Sequence, residues 1–213
     1  MSLADAITQL SPTFTGQLLQ RNDVGYDDAR RVHNGLIDKR PALIARCHGT
    51  ADVVDAVKLA RTLGLEVAVR GGGHNVAGRA TVDDGLMIDL VPMKGIHVDP
   101  RQRTARAQGG VLWTELNRET QVHGLATTGG VVGTTGIAGL TLGGGLGWLM
   151  PKYGLALDNL TQLVILSGVL IGVFQFPADL VLYQMVPGTA LGDRKSTRLN
   201  SSHQSVSRMP SSA

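Results

Sequence analysis

Three glycines followed by a histidine, Gly71-Gly72-Gly73-His74, are the residues whose types and spacing point most directly to chemistry. They lie between Arg70 and Asn75, directly after Glu66 to Val69, a run that reads as a strand. Consecutive glycines turn tightly and aim main-chain N–H groups into one concavity, which suits a pyrophosphate. His74 adds an imidazole, a competent nucleophile near pH 7 when neutral. The spacing is neither the Gly-x-Gly-x-x-Gly dinucleotide fingerprint nor a P-loop, which ends in Gly-Lys-Ser/Thr. A tight turn bearing a surface histidine fits the same residues, so the loop alone leaves both readings open.

A second stretch, Gly129 to Gly147, holds nine glycines in nineteen residues. In regular structure each costs roughly 0.5–1 kcal/mol relative to alanine, so something must compensate. A long cofactor lying against bare backbone would do so, and Thr134 and Thr135 add hydroxyls of phosphate-binding type. The alternative is a flexible linker. Such linkers favour Ser and charge, whereas Val, Ile, Leu and Thr are interleaved here and can pack.

The elements that must position these loops follow from patterning. Tyr26 to Asn34 has helical character. Ala42 to Cys47 reads as an apolar strand after Pro41, and Thr50 as the cap of a helix from Ala51 to Leu63 that Gly64 ends. Glu66 to Val69, Leu86 to Leu90, Gly95 to Val98 and Thr104 to Ala107 read as strands. A helix from Val111 to His123 follows Gly109-Gly110 and closes at Gly124. The uncharged run Leu163 to Phe176 is too short for a membrane span and reads as two buried strands split at Ser167-Gly168.

Composition excludes other classes. With 28 glycines in 213 residues and 43% apolar residues, the chain is neither collagenous nor disordered as a whole. The net charge of +3 resides after Gly192, where four basic residues face one acid, leaving 16 basic and 16 acidic residues elsewhere. A neutral globular part gives no reason to expect a nucleic-acid partner. The single cysteine, Cys47, excludes an intrachain disulfide framework and a cysteine-built zinc site, and its apolar neighbours point to burial. No metal site and no membrane partner are expected. Met1 to Leu10 lacks the pattern of a signal peptide, so a cytoplasmic location is the default expectation.

Taken together, these features resemble the FAD-binding domain of vanillyl-alcohol-oxidase-type flavoproteins (the PCMH type), in particular the berberine-bridge-enzyme-like oxidases of bacteria. The resemblance rests on Arg40-Pro41-Ala42-Leu43-Ile44, Val67 to Asn75, Gly109-Gly110 before a Trp-bearing helix, Gly139 to Gly147, and Leu155 to Leu160 with Asp158-Asn159. It spans about Tyr26 to Leu160 and is specific at superfamily level. It implies an α+β fold of two subdomains, incomplete at its C-terminal side, and FAD as cofactor. It further implies that the first glycine loop holds the pyrophosphate and that His74 forms the 8α-histidyl bond to the flavin. The cofactor contacts expected by position are Arg70, Gly71, Gly72, Gly73, His74, Asn75, Gly109, Gly110, Gly130, Gly133, Thr134, Thr135, Gly136, Gly139, Leu140, Gly143, Gly144 and Gly145. Some relatives attach FAD twice, with a cysteine that aligns with Val132 here, so a single bond is expected. The other histidines (His33, His48, His97, His123 and His203) are expected in satisfied or solvated roles.

Four segments are expected: a lead-in (1–38), the FAD-binding domain (39–168), a divergent apolar segment (169–192) and a tail (193–213). The pattern departs from the family after Thr161, and Gly172 to Val186 is similar to a later part of it, as if a stretch were skipped. The Ser-rich, basic tail is expected to be disordered and resembles translated vector or adapter sequence. The substrate domain of the family is expected to be missing from these 213 residues, and no catalytic base can be named. For the parent protein the resemblance implies oxidation of a small-molecule alcohol or carbohydrate-like substrate by hydride transfer to flavin N5, with dioxygen as acceptor. Two alternatives stand beside it: an FAD-binding fragment without turnover, and a non-covalent reductase of the cell-wall precursor type.

Overall fold

A computed structural model of the chain describes residues 2–165, 177–184 and 186–187. The expected tail, the Ser167-Gly168 split and most of the divergent segment lie outside the described residues.

Helix α1 (Leu3–Leu10) starts at a capping box in which Ser2 and Asp5 each accept the other's main-chain N–H. Strand β1 (Gln17–Leu19) and the short helix α2 (Tyr26–Ala29) precede β2 (Leu43–Arg46). Then come α3 (Thr50–Leu63), β3 (Val67–Arg70) and β4 (Leu86–Asp89). These strands form a sheet in the order β1-β2-β4-β3, with β2, β4 and β3 parallel and β1 antiparallel at the edge. A four-residue central strand buried on both faces suits Leu86 to Asp89, which are all fully buried. Leu43, Ala45, Leu86 and Ile88 join Val53, Ala56 and Leu59 of α3 and the apolar side of α1 in one core.

The second half holds β5 (Ile96–Asp99), β6 (Thr104–Ala107), α4 (Trp113–Gln121), β7 (Leu125–Ala126), α5 (Ile137–Leu142), α6 (Met150–Tyr153), β8 (Leu160–Ile165), β9 (Pro177–Gln184) and β10 (Val186–Pro187). Its main sheet runs β5-β6-β9-β8, antiparallel throughout. Ala105, Ala107, Val111, Trp113, Leu116 and Ile137 make its core, with Trp113 fully buried. Two sheets with separate cores give the α+β, two-subdomain architecture expected from sequence.

Three local expectations need correction. The helix α3 begins at Thr50, not after it, and Thr50 is no cap. Gly49 is the N-cap residue, with no side-chain cap bond, and Asp52 in the first turn anchors the chain leading into the helix: its buried carboxylate accepts from the N–H of His48 (2.8 Å), the N–H of Thr15 (2.8 Å) and the Thr15 hydroxyl (2.9 Å). Burial pushes its pKa up, but these bonds outweigh it and hold the carboxyl below its ordinary value. The helical stretch at Tyr26 stops at Ala29, and Arg31, His33 and Asn34 beyond it bond to residues 70–76. The lead-in is part of the first layer, since α1 packs in its core and β1 extends its sheet.

Candidate functional site

The glycine loop leaves β3 at an anchored point. Arg70, the last residue of that strand, pairs in register with Asp89 of β4. Its Nε and Nη2 donate to the two carboxylate oxygens of Asp89 at 3.0 and 2.7 Å, and Arg46 Nε adds a bond of 3.1 Å from the opposite strand. A two-pronged guanidinium–carboxylate pair fixes orientation as well as distance. Arg70 Nη1 also donates to the Arg31 carbonyl (2.7 Å). The sequence reading puts Arg70 among the cofactor contacts. Here its guanidinium turns inward and holds the loop's origin.

Beyond that anchor the two glycine-rich segments meet backbone to backbone. A Cβ on Gly72 would lie 2.2 Å from the Gly136 nitrogen, and one on Gly136 would lie 2.4 Å from the Gly72 nitrogen. A Cβ on Gly71 would approach the Gly109 carbonyl to 2.9 Å. Only glycine permits this crossing, because any side chain would push the segments apart. Over the crossing lies a cleft of about 700 Å³, within the range of small-molecule sites. Gly71, Gly72, Gly73, His74, Asn75, Gly109, Thr135, Gly136, Gly139 and Leu140 line it. Among the described residues nothing accepts a hydrogen bond from the main-chain amides of Gly71 to Asn75. Such a row of free donors matches the needs of a diphosphate.

His74 stands at the wall of this cleft, half-buried. The Thr134 hydroxyl lies 3.1 Å from Nε2 and the Thr135 hydroxyl 3.4 Å from Nδ1. The ring of His33 stacks on it, with centroids 3.9 Å apart and planes 13° from parallel. Burial, and then the charge of His33, lower the pKa of His74 below the ordinary 6.5, against a smaller opposing bond from Thr134. The imidazole is therefore neutral near pH 7, the state in which its nitrogen lone pair is nucleophilic.

The remaining expected contacts do not line the cleft, and packing explains their glycines. A Cβ on Gly130 would meet Leu140 at 2.7 Å, and one on Gly129 would enter the Trp113 ring at 2.4 Å. At Gly133 it would meet the Thr114 hydroxyl at 2.1 Å, and at Gly110 the Leu90 carbonyl at 1.8 Å. Gly143 ends α5, while Gly144 and Gly145 take left-handed backbone, φ 98° and 78°, that glycine allows. Much of the glycine content thus follows from close internal packing, and only Gly136 and Gly139 of that stretch face the cleft. Thr134 lies behind His74.

Sequence reasoning missed several cleft residues: Lys39, Arg79, Thr81, Ala138 and the edge of β3 from Glu66 to Val69. Thr81 lines the cleft, and its buried hydroxyl has no hydrogen-bond partner among the described residues. No spacing signal singles these residues out. His33 was also missed, because its partner is distant in sequence. Among the described residues no three His, Cys, Asp or Glu side chains gather as a metal site, and no helix is long and apolar enough to cross a membrane.

Residues 41–168 match the family model described as FAD binding domain. The chain is 43% identical over 145 residues to (R)-6-hydroxynicotine oxidase of Paenarthrobacter nicotinovorans, covering 68% of this chain and 32% of that protein. An uncharacterized FAD-linked oxidoreductase of Bacillus subtilis is 35% identical over 149 residues, covering 70% of this chain and 33% of that one. In three dimensions the chain superposes on 6-hydroxy-D-nicotine oxidase from Arthrobacter nicotinovorans with a TM-score of 0.75 at 35% identity, covering 82% of this chain and 43% of the other. A BBE-like protein of Physcomitrella patens, 22% identical with a TM-score of 0.75, shares the fold. The chain spans about a third of the length of the curated relatives it matches.

Proposed function

Because this chain belongs to the FAD binding domain family, we propose that it holds FAD in the cleft over the Gly72–Gly136 crossing, joined by one covalent bond to His74. The observation that carries the reading is that crossing. Two bare-backbone segments far apart in sequence touch beneath one cavity, with a neutral imidazole at its wall.

The residues present fit the cofactor. The amides of Gly71 to Asn75 would receive the pyrophosphate, and Gly136 and Gly139 would let the elongated molecule lie close to the backbone. Bound FAD would supply a hydride acceptor at N5 and an 8α methyl carbon that becomes electrophilic once it has given up a proton. His74 contributes the nucleophile, held beside that carbon as an intramolecular partner. Were that bond to form, the imidazole N–H hydrogen and one methyl hydrogen would leave with an electron pair, which dioxygen would take up as hydrogen peroxide. Val132, where some relatives carry a second attachment point, has no nucleophile to offer, so one bond forms.

For the full-length protein we propose a flavin-dependent oxidase that takes hydride from a small-molecule substrate and passes the electrons to dioxygen. Its substrate-side residues, including the base, lie beyond the site described.

The test is the colour of purified chain loaded with FAD. Yellow colour surviving acid precipitation in the wild type, and lost in His74→Ala, supports the proposal. Acid-stable colour unchanged in His74→Ala contradicts it.

A further inference from the structure

The stacking of His33 on His74 is not an accident of two exposed side chains drifting together. The segment carrying His33 is tied to the glycine loop at three points. The His33 amide donates to the Gly73 carbonyl (3.0 Å), the Arg31 carbonyl accepts from Arg70 (2.7 Å), and the Asn34 side-chain amide donates to the Val76 carbonyl (2.9 Å). The backbone on both sides of His33 is thereby fixed against residues 70–76. Its ring then covers one face of His74 at 3.9 Å. His33 itself does not line the cleft; it stands behind the imidazole that does.

The two threonines and His33 divide the work of holding that imidazole. Thr134 and Thr135 meet the ring edges at Nε2 and Nδ1. Hydroxyl bonds alone permit the ring to swing out with either nitrogen still engaged. A parallel ring on one face blocks rotation about the Cβ–Cγ bond, and it occupies neither nitrogen. A nucleophile whose lone pair lies in the ring plane needs that restriction, because the bond forms along the plane. We propose that His33 is a positioning residue for covalent attachment of FAD at His74, acting by face-to-face stacking. The proposal rests on the covalent reading above.

The experiment follows acid-stable flavin against time after FAD is added to the full chain in its cofactor-free form. It compares the wild type with His33→Ala and His33→Phe, and measures reversible FAD affinity separately. Stacking as the operative contact predicts that His33→Ala attaches FAD about tenfold more slowly or worse, with affinity within about threefold. Phenylalanine, which keeps a flat ring, restores the wild-type rate. A scaffolding role alone would move affinity and melting temperature but not the attachment rate at saturating FAD. Equal attachment rates in the wild type and His33→Ala overturn the proposal while leaving the covalent link standing. A wild-type chain that binds FAD reversibly and never attaches it overturns both. Should His33→Ala fail to fold, His33→Phe decides: attachment at the wild-type rate supports stacking, and a folded but non-attaching variant overturns it.

Discussion

Replacing Gly72 by alanine puts the proposed cofactor groove under the most direct strain. The added Cβ would lie 2.2 Å from the Gly136 nitrogen, and ordinary van der Waals contact begins at 3.4 Å. The two segments must therefore separate by roughly 1.2 Å, and the near atoms are backbone, which has no flexible end to swing aside. A main-chain donor displaced by that much loses a hydrogen bond of ordinary length. If one amide bond to an ionised diphosphate is lost, at about 1.5–3 kcal/mol, and a second is weakened by about 0.5–1 kcal/mol, binding weakens by roughly 2–4 kcal/mol. That corresponds to about 30- to 700-fold in dissociation constant. Gly136→Ala should behave alike, since its Cβ meets the Gly72 nitrogen at 2.4 Å. Gly139→Ala supplies the contrast. Nothing lies within 4 Å of its Cβ, it sits inside α5, and it lines the cleft. It should raise the stability of the cofactor-free chain by roughly 0.5–1 kcal/mol through helix propensity while weakening FAD binding. The assay is FAD titration by flavin fluorescence, paired with thermal unfolding of the cofactor-free protein. Wild-type FAD affinity in Gly72→Ala would refute the reasoning, because the crossing would then not shape the site.

Three further outcomes are expected. Asp89→Ala leaves Arg70 and Arg46 facing a buried void and should cost about 3–5 kcal/mol in denaturant unfolding, whereas Arg46→Ala, at the more exposed partner, should cost less. His74 has a lower pKa folded than unfolded, so the unfolded chain binds more protons just below pH 6.5 and stability falls on acidification from 6.5 through the lower folded value; unfolding curves from pH 5 to 8 should show this slope diminished in His74→Ala. The Cys47 thiol is fully buried, and burial followed by the charges of Asp52 and Asp89 pushes its pKa up, so a thiol reagent at pH 8 should leave the native chain unmodified and react once it unfolds.

The sequence made some of this legible for identifiable reasons. Leu86 to Asp89 is a short, mainly apolar run and Thr104 to Ala107 alternates polar with apolar residues, each beside turn residues, and Gly64 closes α3 in left-handed backbone as a C-terminal glycine does. The glycine loops were visible because repeated glycine is costly and therefore informative. Their purposes were only half visible. Composition does not distinguish a glycine that faces a ligand, such as Gly139, from one that makes room for Trp113, such as Gly129. Nor does it tell a cationic residue free to meet phosphate from Arg70, whose partner Asp89 is adjacent only through strand pairing. The Asp52–Thr15 bonds and the His33–His74 stack share that cause: both depend on segments brought together by tertiary structure. Thr50 has the residue type of a cap, but Gly49 holds that position.

Mass mapping of the flavin tests the central claim most directly. Trypsin cutting after Arg70 and Arg79 releases Gly71 to Arg79 as one peptide containing His74 and no other histidine. From FAD-loaded chain, that peptide should gain the mass of one FAD less two hydrogens, with fragmentation placing it on the histidine. An unmodified Gly71–Arg79 peptide, with flavin on Cys47 or on no peptide at all, would contradict the account.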